Sequence, residues 1–210
     1  MSKKRTASSN RWLVEHRADA YVQEARRLGY RSRAIYKLKE IHERDRLLKP
    51  GQTVVDLGAA PGSWSQYVRP LLGPKGRLIA LDILPMQPLP GVDLILGDFR
   101  EESVLRELEV RVGEGPVVDL VLSDMAPNIS GISAADQAGT VHLCELALEF
   151  AKTRLKPGGI LLAKIFQGEG FDAYLKLLRG CFESVVIRKP KASRSRSREV
   201  YLLARKLRTV

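Results

Sequence analysis

The sequence predicts a doubly wound α/β fold, with seven strands in a mostly parallel sheet, helices on both faces and an antiparallel last strand. Three observations predict it. Short runs rich in Val, Ile and Leu alternate with stretches of helical spacing, as βαβ units require. Runs such as Val117-Val-Asp-Leu-Val-Leu122 are apolar on both faces, the pattern of strands buried inside a parallel sheet. The final strand-to-strand connection, by contrast, is too short for a parallel crossover.

The elements follow in order. Residues 18–28 and 33–47 have helical spacing ahead of the first strand. Strands are expected at 53–57, 77–82, 93–98, 117–124, 160–166, 184–188 and 200–204, and helices between them at 64–72, 101–112, 135–155 and 171–181. Eleven residues separate Arg188 from Val200, whereas a parallel crossover needs a dozen or more and usually a helix. The seventh strand should therefore run antiparallel to the sixth. That places Glu199 at the edge where the other strands have their C-terminal ends, which is the ligand-binding edge of open α/β sheets. The basic loop 189–198 should overhang it.

A length of 210 residues suits one substantial core, here read as a basic helical extension (1–50) packed on a catalytic domain (51–210). With 44% hydrophobic and 28% charged residues, the chain is neither disordered nor collagen-like. No apolar run approaches the ~18 residues of a membrane helix. The basic start has no apolar segment and is not a secretory signal. A tail touching nucleic acid is the preferred reading of it, with a transit peptide as the alternative. Cys144 and Cys181 form no C-x-x-C motif, so a reducing, cytoplasmic setting is expected. His16, His42 and His142 lack ligand spacing, so no metal is expected. A monomer is expected.

The net charge of +11 is uneven. Residues 1–50 carry 14 Lys/Arg against 6 Asp/Glu, residues 188–210 carry 9 against 1, and the intervening body is net acidic. Two basic ends on an acidic body suit a polyanionic partner, the usual footprint of nucleic-acid binding.

Val54-Val-Asp-Leu-Gly-Ala-Ala-Pro-Gly-Ser-Trp64 reads as strand, glycine turn and helix start. Gly58 and Gly62 permit a sharp turn and close ligand approach. The run is not G-x-G-x-x-G, and Pro61 removes one N–H, so a ligand without pyrophosphate is favoured. Asp56, Asp82, Asp98 and Asp124 lie at or near the ends of successive strands. Asp82 stands where a Rossmann-type unit places its ribose-binding acid. Asp98 and Phe99 offer an acceptor and a ring suited to adenine. One such Asp is usually a cap or turn former; four in series point to a ligand, and favour a cationic one.

These motifs carry a resemblance. D-L-G-A-A-P-G at 56–62, L-D-I-L-P-M at 81–86, G-D-F-R at 97–100 and S-D-M-A-P-N at 123–128 resemble Rossmann-like S-adenosylmethionine-dependent methyltransferases. More narrowly, they resemble the FtsJ/RrmJ (RlmE) ribosomal RNA ribose 2′-O-methyltransferases. R-S-R-A at 31–34, F-Q-G-E-G at 166–170 and S-R-S-R-E-V-Y at 195–201 extend the likeness nearly end to end. Ser63 departs from it, standing where the family often has a second glycine. The resemblance implies S-adenosylmethionine held by Asp56, Gly58, Gly62, Trp64, Asp82, Asp98, Phe99 and Asp124. It also implies a Lys-Asp-Lys-Glu tetrad, here Lys37, Asp124, Lys164 and Glu199, and as substrate a uridine of the large-subunit ribosomal RNA A loop, presented on the assembled subunit.

Read singly, Lys164 also suits a structural ion pair with Asp124, Lys37 an exposed helix lysine and Glu199 a surface acid balancing the arginines; their joint placement on one edge supports the grouping. Lys164 sits in an apolar run where a lysine needs a carboxylate partner. In the doubly wound order strands four and five are neighbours, so Asp124 and Lys164 end side by side. Glu199 arrives by the antiparallel argument, and Lys37 lies at the border of its helix's apolar stripe, able to lean into the cleft with its head group free. A 2′-hydroxyl is a weak nucleophile that benefits from a positioned base, so Lys164 is read as proton acceptor or lone-pair steering group, oriented by Asp124. Arg31, Arg33, Arg194, Arg196 and Arg198 are read as phosphate contacts; the Arg-Ser alternation also suits a plain flexible loop or a phosphorylation target. The competing readings are an RNA-binding assembly factor of the same fold without turnover, and a nicotinamide dehydrogenase, which the missing pyrophosphate loop disfavours.

Overall fold

A computed structural model of the chain describes residues 19–127, 133–194 and 197–208. Among the described residues two helices precede the sheet: α1 (Ala20–Arg27) and α2 (Ile35–Asp45). There follow β1 (Thr53–Leu57), α3 (Ser63–Leu72), β2 (Arg77–Asp82), β3 (Asp93–Leu96), α4 (Glu102–Val112), β4 (Val118–Ser123) and α5 (Ser133–Arg154). The rest is β5 (Leu155–Phe166), α6 (Phe171–Cys181), β6 (Phe182–Arg188) and β7 (Glu199–Leu207).

The seven strands form one sheet in the order β3-β2-β1-β4-β5-β7-β6. β1 to β5 are mutually parallel, and β7 enters between β5 and β6, antiparallel to both. The expected direction of the last strand is observed. Its register sets Glu199 opposite Phe166 and Tyr201 opposite Lys164, which brings a C-terminal acid to the end of β5.

Alternation along the strands divides the core into two layers. Val55 and Leu57 of β1 face a layer built with Leu108 of α4, Leu148 of α5 and Leu178 of α6. Val54 faces the opposite layer, with Leu38 and Ile41 of α2 and Trp64, Val68 and Leu72 of α3. The segment before β1 is therefore part of the core. It is also tied down by polar contacts, for the Arg188 guanidinium donates to both Asp45 carboxylate oxygens at 2.6 and 2.7 Å, and Arg205 donates to the Asp45 carbonyl. Arg188 holds the Asp45 carboxyl below the usual carboxylate range.

Of the boundaries that differ from expectation, those of β3 and β5 do so for local reasons. β3 stops at Leu96 because the Asp98 carboxylate accepts from the Arg100 amide, forming an aspartate turn. A Cβ on Gly97 would also lie 2.5 Å from Val104 of α4, so helix and strand end meet too closely for a side chain. β5 begins at Leu155, before the expected 160, because Leu155 pairs with Val118 ahead of a register shift. Among the described residues no helix is long and apolar enough to cross a membrane.

Candidate active site

A cleft of about 440 Å³ opens at the C-terminal edge of the parallel strands. Its walls are the turns after β1 (Gly58, Ala60), β2 (Asp82 to Leu84), β3 (Gly97 to Arg100) and β4 (Asp124 to Pro127), closed by Gly139, His142 and Leu143 of α5. That size lies in the range of small-molecule sites. The floor stays bare at Gly58: its φ is +74°, and a Cβ there would lie 2.7 Å from the Met125 amide nitrogen. Asp82 fastens two of the walls. One oxygen accepts from the Ala60 amide and the other from the Leu84 amide, each at 2.8 Å. Every carboxylate oxygen has a second lone pair, so Asp82 retains acceptor capacity for hydroxyl donors.

The other predicted cleft residues divide. Asp98 lines the cleft, but Arg100 grips its carboxylate through Nε and Nη2 and holds it below the usual carboxylate range. Phe99 lines the cleft and is buried, its ring packed edge-on against Phe150, 6.1 Å between centroids. Asp56 is not in the wall. It is fully buried, accepts from the Ser65 hydroxyl at 2.6 Å, and leaves its second oxygen without a partner among the described residues. Burial pushes its carboxyl up to about 7. The Trp64 side chain also points elsewhere, donating Nε1–H to the Ala34 carbonyl at 2.9 Å and packing near Tyr201. At that position only the backbone of the first turn of α3, where helical amides lack intrahelical acceptors, is left for a ligand.

Beside the cleft, four predicted residues meet through a fifth that sequence reasoning passed over. Lys164, 7% exposed, forms an ion pair with the Asp124 carboxylate at 3.1 Å and donates to the Asp124 carbonyl at 2.5 Å. Lys37 pairs with Glu199 at 2.7 Å, so its head group is not free as expected. The Ser193 hydroxyl donates to Glu199 at 2.9 Å. Tyr201, fully buried, donates to Asp124 at 2.9 Å and lies under the Lys37 amine, 5.9 Å from ring centroid to nitrogen. Burial, and then the carboxylates of Asp124 and Glu199, raise its phenol well above its ordinary value. It is a neutral donor that joins the two ion pairs into one chain. The available signal was period-two alternation, which sets Glu199 and Tyr201 on one face of β7.

The predicted phosphate contacts divide as well. Arg194 is partly buried, and burial first and then the Arg194 charge lower the Arg33 pKa. Arg198 is exposed, while Arg196 lies outside the described residues. Arg33 pairs with Asp19 and donates to the Ala192 carbonyl, and Arg31 donates to carbonyls of two loops. The loop 189–194 does not simply overhang the edge. Ala192 and Ser193 are buried against the N-terminal segment, and Glu40 accepts from the Lys191 amide at 2.8 Å. Cys144 is buried and donates to the Lys164 carbonyl, and Cys181 is partly exposed at the end of α6.

The cleft suits a cationic nucleoside. Among the described residues it carries Asp82, Asp98 and Asp124, the Arg100 guanidinium in its wall is already paired, and the exposed side chains of Ile83 and Leu84 supply an apolar wall. A doubly wound sheet with an antiparallel seventh strand, bearing such a cleft and an amine–carboxylate chain at one edge, defines a Rossmann-like methyltransferase. The chain belongs to the FtsJ-like methyltransferase family, which it matches over residues 30–207. It is 61% identical over 205 residues to ribosomal RNA large subunit methyltransferase E of an Azoarcus species, covering 98% of this chain and 100% of that one. It is 60% identical to the protein of the same name from Dichelobacter nodosus, covering 96% of each chain. A solved Plasmodium falciparum protein assigned as a ribosomal RNA methyltransferase superposes with a TM-score of 0.75 at 29% identity, over 85% of this chain and 98% of that one.

Proposed function

We propose that this protein transfers a methyl group from S-adenosylmethionine to the ribose 2′-hydroxyl of a uridine in the A loop of large-subunit ribosomal RNA, on the assembled subunit in the cytoplasm. The observation that carries this reading is the double membership of Asp124, which lines the nucleoside-sized cleft and also holds Lys164. The names of the relatives set the substrate class.

Asp82, the bare backbone at Gly58 and the turn at Asp98 and Phe99 would hold S-adenosylmethionine. When bound, it supplies an activated methyl group on a sulfonium. The remaining work of the protein is alignment and management of one proton. Lys164 donates to the Asp124 carbonyl and pairs with its carboxylate, which leaves a tetrahedral position on Nζ for the ribose oxygen. In the neutral amine that position is a lone pair that takes the hydroxyl proton; in the ammonium it is an N–H that directs the oxygen lone pair. Tyr201 fixes Asp124 from the other side, and the Lys37–Glu199 pair places a positive charge and an acceptor at the ribose. Arg194, Arg196 and Arg198 would neutralise phosphates at the mouth.

The test is methyl transfer from labelled S-adenosylmethionine to large subunits isolated without the modification, with the label mapped by nuclease digestion. Label on a single ribose, absent with Lys164→Ala, supports the reading. Label on a base, or tight subunit binding without transfer, would overturn it. A rate that rises with pH and then levels marks Lys164 as the base, and a flat profile marks the steering role.

A further inference from the structure

The motif Arg31-Ser-Arg-Ala34 reads in the sequence as two phosphate-binding arginines, but each of its four residues is committed to a contact within the protein. Ser32 donates to the Ser63 hydroxyl at 2.8 Å, at the start of α3. The Ala34 carbonyl receives the Trp64 indole N–H. Arg33 joins Asp19 to the 189–194 loop. Arg31 makes the most far-reaching set. Its Nη1 donates to the Pro61 carbonyl at 3.0 Å and to the Gln87 carbonyl at 2.6 Å, and its Nη2 donates to the Pro88 carbonyl at 2.9 Å. Its own amide donates to Gln66 at 3.0 Å.

Those three carbonyls belong to the two turns whose nearer residues wall the cleft. Pro61 directly follows Ala60, and Gln87 and Pro88 lie farther along the connection that begins with Asp82, Ile83 and Leu84. Asp82 clamps the same two turns from the inside, through the Ala60 and Leu84 amides. Arg31 clamps them from the outside. Gly62 makes room for it, since a Cβ there would lie 2.7 Å from Arg31 Nη1. A phosphate takes a paired N–H face of a guanidinium, and here three of the five N–H groups, including both on Nη1, already serve carbonyls. Lysine could not replace the arrangement, because one flexible nitrogen cannot span acceptors that a planar fork reaches together.

We infer that Arg31 is a positioning residue for the S-adenosylmethionine cleft, a latch from the N-terminal segment across its two walls, and not a contact to RNA. The inference rests on the cleft being the S-adenosylmethionine site.

The experiment compares wild type, Arg31→Lys and Arg194→Gln by calorimetry with S-adenosylmethionine and by RNA binding over a salt series. Arg31→Lys should weaken S-adenosylmethionine binding by about tenfold, raise its KM with kcat at saturation unchanged, and leave RNA affinity and its salt slope within twofold. Arg194→Gln should do the reverse, with a salt slope shallower by about one. The KM-against-kcat split separates positioning from general damage, because a folding defect lowers kcat and the melting temperature together. Arg31→Lys that loses RNA affinity and salt slope while keeping S-adenosylmethionine affinity would overturn the inference. Wild type that fails to bind S-adenosylmethionine would remove the reading beneath it, and the latch with it.

Discussion

The two halves of the working edge are built in opposite ways. The cleft half is assembled from turns that each directly follow their strand, and many of its contacts use backbone groups, as at Ala60 and Leu84. The amine half brings together residues from distant parts of the chain: Lys37 meets Glu199 across 162 positions and Tyr201 meets Asp124 across 77. The turns of the cleft are each held through backbone groups, from one side by Asp82 and from the other by Arg31. In a chain of buried side chains each member is instead the partner that keeps the next one satisfied. Binding and chemistry should therefore fail separately.

Lys164→Ala is the largest test of that separation. Transfer should fall by roughly a thousandfold, within the range for loss of a positioned proton-transfer group, while calorimetry shows unchanged S-adenosylmethionine affinity. Equal losses in both would mean that the halves are one unit.

Asp56→Asn probes the cleft half from beneath. The folded state holds its carboxyl at about 7, above the unfolded value of 3.8. Folding therefore takes up a proton between those limits, and stability falls as pH rises through the window from about 4 to about 7. Asn cannot titrate. The variant should be more stable than wild type at pH 8 by up to about 4 kcal/mol, with the difference vanishing near pH 4, as read by urea denaturation. A difference that does not change with pH would show that Asp56 is ionised throughout.

Tyr201→Phe removes one oxygen from the amine half and leaves its ring in place. Losing the bond to Asp124 should cost about 1–2 kcal/mol and lower kcat by about tenfold, with S-adenosylmethionine affinity retained. Unchanged kcat would reduce Tyr201 to packing.

The smallest effect is expected at the rim. Arg100→Gln frees the Asp98 carboxylate from its exposed ion pair. Because such pairs contribute little to stability, the melting temperature should hardly move. The Asp98 pKa should rise toward its ordinary range, readable by NMR titration.

The sequence was legible where the physics is local. Runs rich in Val, Ile and Leu mark β1 and β2 to the residue, and the eleven-residue connection after Arg188 sets the direction of β7. It also brought Asp124, Lys164 and Glu199 to one edge. Tyr201 escaped because a tyrosine in a strand is more often core, and only the strand register reveals its hydroxyl beside Asp124. The arginines escaped for another reason. A guanidinium's partners are carbonyls of remote loops, and nothing in the composition of Arg31-Ser-Arg separates a latch from a phosphate contact. Trp64 looked like part of the ligand loop by position, but helix α3 turns its indole into the core.

The insertion of β7 between β5 and β6 also ties architecture to chemistry. In the described sheet β7 covers the flank of β5, which would otherwise be open to stray pairing. The same strand delivers Glu199 to Lys37 and Tyr201 to Asp124. One ribbon of backbone is thus both the seal of the sheet and the carrier of half its working groups, and neither duty can be removed without the other.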